Sequence, residues 1–184
     1  VHVMRGQNHG LFLDMAIGRD WLKNHAKHEN VLNLFAYTGA FSVHARAGGA
    51  VKTTTVDMSK TYLEWYERNL ALNGFAVDGD HVAIHADCLQ WLEAGPTAGE
   101  QYDIVVCDPP TFSNSKRADD FDVQRDHPAL LRAAVARLAP GGLLLFSNIF
   151  RRFRLDEAAI SVFATVQEIS ADTLDPDFER NPRI

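Results

Sequence analysis

From Val31 onward the chain alternates short apolar, β-branched runs with longer stretches whose apolar residues recur at helical spacing. The first kind predicts strands near 31–36, 52–57, 81–86, 102–108 and 142–148, with a weaker one near 163–169. The second predicts helices near 40–48, 59–72, 88–93, 127–138 and 154–160. In the helix at 59–72, Leu63, Tyr66, Leu70 and Asn73 share one face, Ser59 stands where an N-cap belongs, and Asn73-Gly74 supplies the stop; Gly48-Gly49 does the same for the helix before it. Such alternation is the signature of an α/β fold with a parallel sheet and right-handed crossovers. Residues 1–30 differ in kind. A short strand from Gly10 to Met15 leads into a helix from Ile17 to His25, a lead-in laid against a domain of residues 31–184. The last residues, Arg183-Ile184, fall where one more apolar strand would close a seven-stranded sheet, so the sequence reads as a fragment.

Two of the predicted strands break into small, polar or Pro residues where a parallel strand reaches its C-terminal edge, the edge at which open α/β sheets bind ligands. The first break is Tyr37-Thr38-Gly39-Ala40. It lacks the second and third glycines of a dinucleotide loop and the Gly-Lys-Ser/Thr of a phosphate loop. It suits a ligand without pyrophosphate, such as S-adenosylmethionine, whose methionine end could meet the Thr38 hydroxyl and backbone amides; an ordinary strand–helix connection is the plainer reading. The next strand ends at Asp57, placed to accept both ribose hydroxyls of an adenosine or to favour the dipole of the helix that follows. Asp87, at the end of the third strand, could accept from an adenine amine or cap a helix.

The second break, Asp108-Pro109-Pro110-Thr111-Phe112, is the sharper motif. Two prolines remove two donors and restrict φ, so the loop leaves the sheet in a fixed direction with free carbonyls, and Phe112 is placed to stack on a planar base. A rigid turn with a buried Phe is the alternative. The irregular stretch from Pro109 to Asp126 is long enough to be a binding loop.

Composition narrows these readings. The chain has 184 residues, 46% of them hydrophobic and 23% charged, as expected of one soluble globular domain. No apolar run approaches membrane-helix length and no basic-then-apolar leader is present, which makes the cytoplasm the expected location. The two cysteines, Cys88 and Cys107, end apolar runs and are expected as buried thiols. A net charge of −6 weighs against nucleic acid, but basic residues gather at Lys116-Arg117 with Arg125 and at Arg151-Arg152 with Arg154. The eight histidines show no metal-site spacing, and no nucleophile elbow occurs.

The segments GLFLD (10–14), NLFAYTGAFSVHA (33–45), TTTVDMSKTYLEW (53–65), RNLALNG (68–74), ADCLQWL (86–92), DPPTFSNSKR (108–117), FDVQRDH (121–127) and FSN (146–148) together resemble the class I S-adenosylmethionine-dependent methyltransferases. Within that class the run DPPTFSNSKR followed by FDVQRDH is similar to the C-terminal guanine-N7 half of the bifunctional bacterial methyltransferases of large-subunit ribosomal RNA. The resemblance implies a Rossmann-like, mostly parallel seven-stranded sheet flanked by helices. It also implies an S-adenosylmethionine site at Tyr37, Thr38, Gly39, Asp57, Met58, Asp87, Cys88 and Asp108, and a base pocket with Asp108, Pro109, Pro110 and Phe112 as its catalytic residues. The implied partner is large-subunit ribosomal RNA, with a further RNA-binding domain outside these residues. Where the family carries an Arg two residues after the Asp of its Leu-Asp segment this chain has Ala16, with Arg19 the nearest substitute. Relatives that methylate cytosine C5 need a nucleophilic cysteine after the fifth strand, where this chain has Ser147-Asn148. Cytosine-C5 or base-amine methylation, and a catalytically silent RNA-binding module, are the alternatives to guanine N7.

Overall fold

The computed structural model of this chain describes residues 9–113 and 121–178. The expected basic pair Lys116-Arg117 and the C-terminal Arg183-Ile184 lie outside them. Five strands, β1 (Asn30–Leu34), β2 (Lys52–Asp57), β3 (His81–His85), β4 (Tyr102–Cys107) and β7 (Leu138–Phe146), form one wholly parallel sheet in the order β3-β2-β1-β4-β7. The strand order reverses between β1 and β4, which opens a crevice at their C-terminal ends. The continuous apolar runs of β1 and β4 are those of strands covered on both faces. Val31, Ile104 and Val106 pack with Leu22 of α1 (Ala16–His25) and Phe41 and Ala45 of α2 (Ala40–Ala47). Their neighbours Leu32, Leu34, Val105 and Cys107 pack on the opposite side with Leu92 of α4 (Cys88–Glu93) and Leu130 of α5 (Val123–Val135). On α3 (Lys60–Leu72), Tyr66 and Leu70 cover Val43, and the Ser59 hydroxyl caps Tyr62 N–H as its position in the sequence predicts.

Several expectations change. Among the described residues the sheet holds five of the six predicted strands. The weak run at 163–169 is no strand: Phe163 and Ala164 N–H both bond back to the Ile160 carbonyl, prolonging the turn of α6 (Glu157–Ile160), and the Phe163 ring lies under the Arg132 guanidinium of α5. Residues 164–169 then run irregularly into α7 (Ser170–Thr173). The strand expected from Gly10 to Met15 is replaced by a 3-10 turn at Leu13–Met15, because the backbone groups there are satisfied by side chains instead of a ladder. Gly10 N–H donates to Tyr37 Oη (3.0 Å), Gly10 O accepts from Thr38 Oγ1 (2.7 Å), and Phe12 O accepts from Arg19 (2.6 Å).

The stretch after Pro110, expected to be irregular, instead carries β5 (Phe112–Ser113) and β6 (Phe121–Asp122), paired antiparallel, and α5 begins four residues before its expected start. Asp122 caps α5 by accepting from Gln124 and Arg125 N–H. Pro128 inside α5 has no N–H for the Gln124 carbonyl. His127 Nδ1 takes that place, donating to the Gln124 and Val123 carbonyls at 3.0 Å each, while its Nε2 accepts from Asp156 N–H. β7 begins before its predicted start and carries a bulge at Ala139-Pro140-Gly141-Gly142, across which the register jumps from Tyr102↔Leu138 to Ile104↔Leu143.

Candidate functional site

The turn leaving β1 is wound tightly: Phe35, Tyr37 and Gly39 all have positive φ, at 53°, 51° and 69°. Left-handed aromatic residues are uncommon, and surrounding contacts must hold them there. Tyr37 N–H donates to Asp57 Oδ2 at 2.8 Å, Ala36 N–H to the Val56 carbonyl, and Phe35 N–H to Cys88 Sγ at 3.2 Å. Gly39 lies against the Tyr66 ring, so close that a Cβ would stand 2.1 Å from Cδ2. Below the turn, buried Asn33 and Thr55 both donate to Ser42 Oγ, at 2.9 and 2.8 Å, so the polar residues in these central strands are paired.

Asp57 ends β2 beside this turn. Its Oδ2 is held by Tyr37 N–H and its Oδ1 by Ser59 N–H (2.8 Å), so both readings of the sequence are present: it braces the start of α3 and also lines the cavity. Burial pushes its carboxyl above the usual range, and the two backbone donors pull it back part of the way. Asp87 is an N-cap, its Oδ1 accepting from Leu89 and Gln90 N–H. A small cleft of about 50 Å³ lies between Asp57, Met58, Asp87, Pro110 and the Phe35 ring.

Asp108 ends β4 on the other side of the crevice. Asp108 is half-buried; desolvation pushes its carboxyl upward, Oδ1 accepts from Ser147 Oγ at 2.8 Å, and Asp14 adds a repulsive charge. Phe112, 58% exposed, stands two residues beyond the prolines, its ring 6.2 Å from that of Phe150. One cavity joins Tyr37, Asp57 and Met58 to Asp108, Pro109, Pro110 and Phe112.

Of the residues singled out in the sequence, these line the two cavities, and so do Asp87 and Cys88. Thr38 and Gly39 do not. The Thr38 hydroxyl, expected to face a ligand, is fully buried and spent on Gly10 O, because the lead-in needs that bond to close over the turn. Cys88 forms wall only: its thiol lies among the ends of β1 and β2, facing Phe35 N–H and Val56 O, and burial drives its pKa far up. Cys107 is wholly buried, and its thiol is likewise pushed up. Arg19 holds Phe12 O rather than lining the cavity. Sequence reasoning missed Phe12, Phe35, Tyr62 and Ser147, all of them lining residues. Tyr62 carried a signal, since it stands on the first turn of the helix that Ser59 caps, and Ser147 stood in the FSN segment after the fifth strand.

A buried acid at the second strand's end, a tightly wound turn without a phosphate loop, and a cleft walled by an aromatic ring are features that fit an adenosine bearing an amino-acid tail. Comparison with known proteins agrees. A protein described as ribosomal RNA large subunit methyltransferase K/L, from Methylococcus capsulatus, is 55% identical over 176 residues, covering 95% of this chain. The chain spans 24% of that relative's length. Among solved structures, SMU.776 complexed with SAH superposes with a TM-score of 0.76 at 31% identity, over 86% of this chain and 42% of that one. A SAM-dependent methyltransferase from Agrobacterium tumefaciens gives 0.69 at 30% identity, over 78% and 47%. Residues 1–166 match the family described as S-adenosylmethionine-dependent methyltransferase, and the chain belongs to that family.

Proposed function

We propose that this chain transfers a methyl group to guanine N7 in large-subunit ribosomal RNA. The observation that carries the reading is that Asp57 and Asp108-Pro109-Pro110-Phe112 face one cavity at the sheet's switch point, so a methyl donor and a planar base can meet there. The name of the relative from Methylococcus capsulatus supports ribosomal RNA as the substrate.

Asp57 would accept the ribose hydroxyls, with Tyr37 and Met58 beside it, and Asp87 would accept from the exocyclic amine of the adenine end. Bound there, S-adenosylmethionine supplies an electrophilic methyl. Pro109 and Pro110 hold the loop stiff, Phe112 stacks on the extruded base, and Asp108, fixed by Ser147, orients it. Guanine N7 already carries a lone pair and has no proton to lose, so in-line placement in a site that excludes water suffices without a general base. Cytosine C5 methylation needs a thiolate nucleophile, whereas the chain's two cysteines are buried and held as thiols by their surroundings.

The test is to incubate the protein with unmodified ribosomal RNA and labelled S-adenosylmethionine and then map the label by base-specific cleavage. Label on guanine N7 upholds the reading, label on an exocyclic amine moves the chemistry to base-amine methylation, and binding of the donor without turnover leaves a silent RNA-binding module.

A further inference from the structure

Phe150 touches Phe112 at the cavity rim, and the two residues after it are Arg151 and Arg152. They occupy the exposed tip of a tight turn closed by Phe153 N–H on Phe150 O at 2.9 Å. That turn is pinned at each end. Phe150 N–H donates to Asn148 Oδ1, and the Phe153 ring packs against His127 and Phe146, with centroids 4.9 and 5.6 Å away. Beyond it the Gln124 side chain pairs with Arg154 through both backbone groups, N–H to Oε1 at 2.8 Å and Nε2 to O at 2.9 Å.

Among the described residues, neither the Arg151 nor the Arg152 guanidinium has an ion-pair or hydrogen-bond partner, although the chain carries six more acidic than basic residues. The nearest acid that follows them in sequence is engaged elsewhere: Asp156 caps α6 through Oδ1. Two forked cations with no partner among the described residues are therefore held on a tight turn beside an exposed aromatic ring. That pairing of cation and stacking face is how proteins hold single-stranded nucleic acid, the ring taking a base and the guanidinium taking phosphate.

We propose that Arg151 and Arg152 form a phosphate clamp for the nucleotides flanking the base that stacks on Phe112. The clamp rests on the reading of this site as one that takes RNA, and deepens it by assigning where the backbone lies. It sets the register of the strand, while the Asp108–Phe112 loop handles the base.

The experiment measures binding of a labelled single-stranded, guanine-containing oligoribonucleotide to the chain by fluorescence anisotropy at several salt concentrations. Arg151→Ala/Arg152→Ala should weaken binding by about ten-fold or more and flatten the plot of log affinity against log salt by about 0.7 for each phosphate that is no longer neutralised. Arg151→Lys/Arg152→Lys should keep most of the slope, and Arg68→Ala, an exposed cation on α3, should change neither quantity. With ribosomal RNA as substrate, the double Ala variant should raise KM and leave kcat near its wild-type value. An unchanged salt slope in the double Ala variant overturns the clamp, as does a wild-type chain that holds no RNA. Calorimetric binding of S-adenosylmethionine, measured separately, tells failure of the clamp from failure of the methyltransferase reading, because the turn does not touch Asp57 or Tyr37.

Discussion

Asp57 links sequence to chemistry through a single carboxyl. It ends β2, braces the turn after β1 through Tyr37 N–H, and faces the cavity. An ionised carboxylate accepting ribose hydroxyls is worth about 1.5–3 kcal/mol per charged hydrogen bond, so Asp57→Ala should weaken S-adenosylmethionine binding at least ten-fold by calorimetry. Burial raises this carboxyl's pKa. As pH falls the acid form gains, and the acid form no longer accepts two hydroxyls; affinity should therefore drop on acidification at a pH above that of an ordinary carboxylate, and Asp57→Asn should abolish the dependence. Asp108 depends in turn on Ser147. Ser147→Ala leaves a half-buried carboxyl short of a donor, at a cost of about 1 kcal/mol. Turnover should fall while donor affinity stays, and Ser147→Thr should restore it; an unchanged kcat in the Ala variant removes Asp108 orientation from the mechanism.

The strand ends were legible in the sequence because apolar runs that stop abruptly at Gly, Asp or Pro leave few alternatives, as at Tyr37-Thr38-Gly39 and Asp108-Pro109-Pro110. The contacts of the turn were not. Nothing in the residues around Thr38 shows that its hydroxyl serves Gly10, because that bond joins segments 28 residues apart. Nor does the weak run at 163–169 reveal that its Phe163 is claimed by Arg132 on a neighbouring helix. The helix predicted near 127–138 starts earlier, at Val123, and runs through Pro128 because the His127 side chain bonds the Gln124 carbonyl that Pro128, with no N–H, cannot. The winding of the first turn makes its own prediction. Gly39→Ala would force a left-handed Ala, costing about 1–2 kcal/mol, and would drive the Tyr66 ring aside. Thermal unfolding should shift down by several degrees and donor binding should fall with it.

At the scale of the whole molecule, the crevice exists because helices pack on both faces of the sheet, and one buried cation ties that arrangement together far from the site. Arg137, next to the start of β7, donates to Glu100 Oε1 at 2.7 Å and to the Trp91 carbonyl, and its guanidinium stacks 3.8 Å over the Trp91 ring. Against burial, which pushes it up, the Thr97 hydroxyl and N–H and the Arg137 charge hold the Glu100 carboxyl below its usual range. That contribution is complete above the unfolded-state value and is lost as pH falls through the folded one. Arg137→Ala should destabilise the fold by about 3 kcal/mol, the low end for a broken buried pair because Glu100 keeps some contact with water. Urea unfolding near neutral pH reads this directly, and the difference from wild type should shrink in acid.

The lead-in also has an optical consequence. Gly10 rests on the Trp65 indole, which lies 6.5 Å from the Tyr37 ring. With Trp21 and Trp91 replaced by Phe, Trp65 becomes the sole indole, lodged between the segment that closes over the turn and the turn itself. Its emission should shift to the red when unfolding brings water to the ring, so loss of the lead-in's contacts can be followed without a label.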